Sequence, residues 1–548
     1  MDKCNIMLLP TELLIKILSN MHYKDIINYG ATCKRANKIV ATHDDIFKYS
    51  LKNTIPDMES VIEKYELKHY AELKNFITLK KKVESEISEL SLQTWMKPKE
   101  MENVENIYTL AMQNNTSYYC VILHLQNIIK RAQEFIATSF ERERFTMTHM
   151  HYAKFYLTRL MHTYLLIKWS HLSRQSLLDP IVVANYFVQW IDPSKIYKDS
   201  DVDRIIEGLA EETKAVLKNV KVKTNDNVLR TEGKLQIISY VLNNKNLYIL
   251  PLSSQHSELK SLSISDVFEN GVVSYPTFVA IYQAVAKRLD VHCELVVFEN
   301  HLFLQWQNDE SERLDKYIVE VNNGTLKLKG GCPYRRNPNR QTTIIYDPMN
   351  YVRSIYETLN PEGLSDWYKR NAKLLLRDEQ LNIETCENKL CALPVIDLKY
   401  ITEPYAELLK LVTKYSHIVP EVTEIKVRKS NSRVMFGVGM VCKNVAVPYT
   451  CVIVGWCESL TQRHRGDNVE PLYEIITLDR SMRTLSASKL VLAPAPTRLA
   501  QIEESLAKDF THFDGFAYIP NEQKKTEYPN EEGIVNMYRT HLRSFSSS

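Results

Sequence analysis

The sequence predicts a multidomain α+β protein, with helices first, a mixed block in the middle and a small all-β unit near the carboxy terminus. Three observations predict it. Helical periodicity runs through most of residues 8–230. Short apolar-polar strands first appear after residue 290, in "CELVVFEN", "HLFLQW" and "KYIVEV". Between residues 434 and 492, strands are punctuated by Gly, Pro and Asp. The chain has 548 residues, room for about three or four domains of ordinary size. Apolar residues at 44% and charged residues at 25% sit near globular averages, so a folded, soluble class follows.

Composition also excludes several function classes. A net charge of +3 is too small to argue for a nucleic-acid or membrane partner. Only 14 glycines are present, and neither GxGxxG nor GxxxxGK[ST] occurs, so a phosphate-cradling loop of those types has no support. The start, "MDKCNIMLLPTELLIKIL", is broken by Pro10, Glu12 and Lys16 and lacks a small-residue cleavage site, unlike a signal peptide. The apolar stretch "FYLTRLMHTYLLIKW" contains Arg159, His162 and Lys168 and reads as a buried helix rather than a membrane span. The ten cysteines form no CxxC pair, and Cys386 and Cys391 have no His-x3-5-His complement, so reduced thiols in the cytoplasm or nucleus are expected. No metal or cofactor is expected. His149 and His151 are two apart and fall on different helix faces, which makes them poor co-ligands. The Lys80–Lys82 run reads as a solvated helix face.

Element by element, the expected division is a three-helix unit over 1–50, a helical linker over 51–230 and an α+β core over 231–330 whose helical part reaches back toward 150. A helical segment over 331–420, a small β-barrel over 425–500 and a carboxy-terminal tail over 501–548 follow. In the first unit, Pro10 suits a first helical turn with Thr11 and Glu12, and Leu13, Leu14, Ile17, Leu18 and Met21 share one face. Asp25 suits the cap of a second helix, and a third is expected from about Thr32 to Val40. Three helices in roughly 45 residues bury too little apolar area to stand alone, so this unit calls for a partner.

These residues carry resemblances to known families. Leu9-Pro10, Glu12-Leu13, Ile17-Leu18, Asp25-Ile26, Cys33-Lys34-Arg35 and Ile46-Phe47 resemble an F-box across the whole motif. Ala36 and Asn37 stand where that family has a tryptophan. The resemblance implies docking on a Skp-type adaptor, and through it on a cullin–RING ligase, by an apolar surface of Leu9, Pro10, Leu13, Ile17, Leu18, Ile26, Cys33 and Phe47. The other reading is a helical hairpin that packs on the rest of the chain.

"FGVGMVCKN", "YTCVIVGW" and "PLYEIITLDRSMRTLSASKL" resemble the YccV/HspQ-like hemimethylated-DNA-binding domain, with Cys457-Glu458 where relatives carry Asp-Pro. Residues 425–498 hold 11 Lys/Arg against 5 Asp/Glu, which suits phosphate contacts. Arg433, Lys443, Trp456, Arg463 and Arg465 form the candidate nucleic-acid or ligand face. Against DNA stands the lack of aromatics interleaved with the basic residues; a structural or protein-binding barrel is the alternative.

"SYVLNNKNLY", "YPTFVAIYQAVAKRLDV", "NHLFLQW" and "YIVEV" resemble, in order, a degenerate transglutaminase-like domain. With the F-box, the YccV-like unit and the tail "FTHFDGFAYIPNEQKKTEYP", the arrangement is similar to the F-box only protein 21 family. Acyl transfer on such a fold needs a thiolate at the start of the central helix, a histidine within reach and a carboxylate to orient it. The helix start reads Pro276-Thr277-Phe278, with no cysteine, and Cys293 lies beyond the helix. Thr277, His301 and Glu320 occupy the triad positions as a vestigial set, so no catalytic residue is expected. The resemblance implies the substrate-recognition subunit of an SCF ubiquitin ligase, which bridges an unidentified substrate protein to the adaptor for ubiquitination and proteasomal degradation. The rival readings are a DNA- or chromatin-binding module and a residual hydrolase using His301.

Overall fold

The computed structural model describes residues 9–546. The longer segments outside the description are 97–104, 139–145, 173–178, 221–225, 252–257, 309–314, 329–346, 373–424 and 459–469, and there are shorter ones of one to three residues. The chain divides into two compact units: residues 1–163 with 393–548, and residues 164–392.

The first unit opens with α1 (Thr11–Leu18), α2 (Tyr23–Gly30) and α3 (Lys34–Thr42), then a tight turn over Asp44–Phe47 and α4 (Lys48–Thr54). Pro10 stands just outside α1 rather than in its first turn, and its carbonyl accepts the Leu14 N–H at 3.1 Å. Helix α2 starts two residues before the expected Asp25, capped by His22 Nδ1, which accepts from Lys24 N–H at 3.3 Å. Asp25 lies inside the first turn, where its charge still suits the positive end of the helix. Cys33 caps α3, its sulfur accepting from Ala36 N–H at 3.4 Å. Leu14, Leu18, Ile26, Ala36, Ile39, Ile46, Phe47 and Leu51 form the core of this bundle.

Next come α5 (His69–Met96), α6 (Glu105–Ala111), α7 (Ser117–Thr138) and α8 (Met147–Leu172). Leu79, Val83 and Ile87 recur every fourth residue and bury one stripe of α5, which packs along α7. Arg159 and His162 of α8 are buried, and no helix among the described residues is long and apolar enough to cross a membrane.

The second unit contains α9 (Pro180–Ile191), α10 (Asp199–Asn219), α11 (Asn227–Asn243), β1 (Tyr248–Leu250), α12 (Leu259–Leu262), α13 (Ile264–Asn270) and β2 (Val272–Ser274). Helix α14 (Tyr275–Lys287) follows, then β3 (Cys293–Phe298), β4 (His301–Gln307), β5 (Lys316–Glu320), β6 (Thr325–Leu328) and α15 (Pro348–Glu357). Strands β3 to β6 form an antiparallel meander in chain order, while β1 and β2 pair in parallel. Helix α14 is apolar nearly all round because α9, α10, α11, α15, β3 and β4 all pack on it. At the β5–β6 turn, Gly324 has φ +73, and a Cβ there would lie 2.3 Å from the backbone nitrogen of Gln236. Only glycine allows that approach. Of the helical segment expected over 331–420, residues 331–346 and 373–420 lie outside the described residues.

The carboxy-terminal strands are β7 (Val441–Asn444), β8 (Thr450–Cys457), β9 (Leu472–Thr477), β10 (Met482–Ser486) and β11 (Leu490–Leu492). They form one antiparallel sheet in the order β10-β9-β8-β7-β11. The expected all-β unit is therefore an antiparallel sheet. Among the described residues β10 and β11 remain edges that do not pair with each other, so the sheet is not closed.

Residues 501–546 are folded onto this sheet as α16 (Glu503–Leu506), β12 (Phe510–Phe513), β13 (Tyr518–Pro520), α17 (Glu522–Glu527) and α18 (Glu531–Ser546). Tyr518 N–H donates to Gly439 O at 2.9 Å, beside a bridge between Met440 and Ala517. Glu531, 4% exposed, ties α18 to the sheet. Its carboxylate accepts from Arg428 Nη2 at 2.9 Å, Val438 N–H at 2.9 Å and Trp456 Nε1 at 3.2 Å. The same segment reaches α8, where Thr148 Oγ1 donates to Phe510 O at 3.0 Å and Lys154 pairs with Glu504 at 2.8 Å.

Candidate functional site

The first bundle presents three apolar doublets, Leu13-Leu14, Ile17-Leu18 and Ile26-Ile27. Successive residues on a helix differ by about 100° in direction, so only one of each doublet faces a common core. The inward members are Leu14, Leu18 and Ile26, all at or below 2% exposure. The outward members are Leu13 at 49%, Ile17 at 42% and Ile27 at 42%. Leu13 and Ile17 are four apart on α1 and so adjoin on one face. Pro10 is exposed, and Leu9 and Cys33 are half-buried. Of the eight predicted docking residues, Leu18 and Ile26 are thus core, because the turn of the helix points them inward, and Phe47 is core beside the equally buried Ile46 in the turn before α4. Ile27, which the sequence reading passed over, is on the outside.

Arg35 Nη2 donates to Leu9 O at 2.9 Å, which ties the stretch ahead of α1 to the first turn of α3. Ala36, at the place of the family tryptophan, is fully buried, and Asn37 beside it is exposed. The bundle is also fixed to the helix that follows. Asp44 caps α5 with both oxygens, accepting from His69 N–H at 2.6 Å and Tyr70 N–H at 2.9 Å. His69 Nδ1 lies 2.8 Å from the same carboxylate, and the Phe47 and Tyr70 rings are 4.8 Å apart. Burial works to raise the Asp44 pKa, but the hydrogen bonds from Tyr70 and His69 outweigh it and hold it below the usual carboxylate value.

In the second unit, the three candidate triad positions lie on separate elements, α14, β4 and β5. Thr277 is fully buried in the first turn of α14. Its hydroxyl lies 2.9 Å from Ser274 Oγ and donates to Leu262 O at 3.4 Å. His301 opens β4, opposite Phe298 of β3. Glu320 ends β5 and has other partners: Lys327 forms an ion pair with it, and Thr325 Oγ1 donates to it at 3.0 Å. The Lys327 hydrogen bond, aided by Thr325 and Asn323, holds Glu320 below the usual carboxylate range. Cys293 is buried at the start of β3, and burial pushes its thiol up to about 12, far from a thiolate at neutral pH.

The proposed ligand face of the sheet is divided. Arg433 and Lys443 are exposed. Trp456 is buried at 3% with its indole N–H spent on Glu531, so it offers no surface for stacking. Arg463 and Arg465 lie outside the described residues. His149 Nδ1 accepts from Thr146 N–H at 3.1 Å at the start of α8. No metal-ligating cluster occurs among the described residues.

Comparison with curated proteins and with solved structures finds no match. Comparison with protein families finds one: residues 6–48 match the F-box domain. That span covers α1, α2, α3 and the Asp44–Phe47 turn, the bundle whose outward face carries Leu13 and Ile17. The amino-terminal bundle of the chain is thus an F-box domain.

Proposed function

We propose that this chain is the substrate-recognition subunit of an SCF-type ubiquitin ligase, docking through its F-box on a Skp-type adaptor and so on a cullin–RING ligase. One observation carries the reading: within the F-box match, α1 buries Leu14 and Leu18 yet leaves Leu13 and Ile17 uncovered beside Leu9 and Pro10. Aliphatic side chains paired on one exposed helix face gain free energy when a partner covers them. The Asp44 cap supports the same role, since a bundle locked to α5 holds bound substrate at a fixed distance from the conjugating enzyme. Such a subunit contributes proximity and orientation while the thioester chemistry belongs to others.

The committed partners of Glu320, the buried Thr277 and the protonated Cys293 favour a non-catalytic role for the transglutaminase-like block. The YccV-like sheet is read as a protein-binding element, and the expected place of action is the cytoplasm, the nucleus or both. The test is a pull-down of the full chain beside Leu9→Ala/Pro10→Ala. Adaptor and cullin should be lost from the variant while other partners stay; undiminished adaptor capture would refute the docking role. His301→Ala should leave substrate ubiquitination unchanged, and a loss would favour the hydrolase reading instead.

A further inference from the structure

The β7–β11 side of the carboxy-terminal sheet exposes an apolar patch bordered by cations. Val445 and Val447, in the loop between β7 and β8, are 61% and 56% exposed, and Val491 on β11 is 47% exposed. Register brings two of them together: Val491 lies opposite Lys443, and Val445, two residues on, donates its N–H to Lys489 O at 2.9 Å, with Val447 following in the same loop. Lys443 and Lys489 are both exposed, and neither has an ion-pair partner among the described residues. The Glu470 carboxylate nearby is taken by Ser488, whose hydroxyl donates to it at 2.7 Å. Strand β11 is an edge, paired only with β7 among the described residues.

We infer that this patch is a docking site for an extended segment of a partner protein in which aliphatic side chains alternate with Asp or Glu. The inference rests on the substrate-recognition reading above and names the chemistry of the segment recognised. Charge complementarity selects it. Two unpaired ammonium groups beside three exposed valines favour carboxylates beside aliphatic groups, and the open edge of β11 offers backbone groups to an added strand. A nucleic-acid backbone would satisfy the lysines but would leave the valines against phosphate and sugar, with no apolar area covered.

The experiment selects binders from a random dodecapeptide library displayed on phage, using the full chain as bait. The enriched peptide is then titrated by fluorescence anisotropy. Enriched peptides should carry Asp or Glu next to Val, Ile or Leu. Lys443→Glu/Lys489→Glu should weaken the peptide at least tenfold, and Val447→Ser/Val491→Ser should do the same with unchanged circular dichroism. Basic or featureless enrichment, no enrichment, or full binding by both double variants would each overturn the proposal. So would tighter binding to a DNA duplex, with a steep salt dependence, that both Lys→Glu changes abolish. Adaptor capture is measured on the same proteins and should be equal in all. If the wild type itself captures no adaptor, the ligase reading fails while the peptide result stands or falls on its own titration.

Discussion

Replacing Leu13 and Ile17 together by alanine separates docking from folding. Full burial of a Leu or Ile side chain is worth about 1.5–3 kcal/mol. At 49% and 42% exposure, roughly half of that remains to be gained on docking. The pair therefore contributes about 1.5–3 kcal/mol to adaptor binding, a loss of roughly ten- to hundredfold in affinity when both are truncated, since 1.4 kcal/mol is tenfold. Stability should scarcely change, because these side chains lie outside the bundle core. Leu14→Ala supplies the contrast: at 1% exposure it should cost about 2–5 kcal/mol of stability and affect the adaptor only through unfolding. Isothermal titration calorimetry with purified adaptor gives the affinity, and a urea melt followed by circular dichroism gives the stability. If Leu13→Ala/Ile17→Ala binds like wild type while remaining folded, the outward face of α1 is not the docking surface.

Three further outcomes follow from the same geometry. Glu531→Gln should destabilise the carboxy-terminal sheet by about 1.5–3 kcal/mol, because it removes the charge that Arg428, half-buried, and Trp456 Nε1 both hydrogen-bond; a shift below about 1 kcal/mol in a tryptophan-fluorescence melt would contradict this. Asp44 has its pKa depressed in the folded chain, so its stabilisation is present above the unfolded value of 3.8 and is lost as pH falls through the lower folded value. Hydrogen exchange at the start of α5 should accordingly quicken only below about pH 4, and Asp44→Ala, which costs about 0.5–2 kcal/mol as a lost cap, should quicken it at neutral pH. Cys293 should resist maleimide labelling at pH 7 in the native chain and react once urea exposes it, as read by peptide mass; rapid native labelling would restore a candidate nucleophile.

Much of the local structure was legible in the residues. The stretches "LQIISYVLNN" and "YPTFVAIYQAVAKRL" are helical as their periodicity predicts, and "CELVVFEN", "HLFLQW" and "KYIVEV" form adjacent strands of one meander. Helix starts were less legible. Asp25 looked like the cap of α2, yet His22 takes that place, since several polar residues near a helix start compete for the same free N–H groups. Closure of the sheet was not legible either, because short alternating strands look the same in a barrel and in an open sheet. Nor could Trp456 be recognised as buried: its partner Glu531 lies 75 residues further along the chain.

By itself the sequence determined the F-box motif, the strands of the β3–β6 meander and of the β7–β11 sheet, and the lack of a cysteine at the start of α14. These depend on residue type and short spacing, which a linear chain displays directly. Only the tertiary structure decided which member of each apolar doublet faces outward, and that Glu320 serves Lys327 and Thr325. It likewise decided that residues 501–546 fold onto the five-stranded sheet, joined to it by the Met440–Ala517 bridge and by Glu531. Those outcomes depend on which surfaces meet after long stretches of chain have folded back, and no local pattern records that.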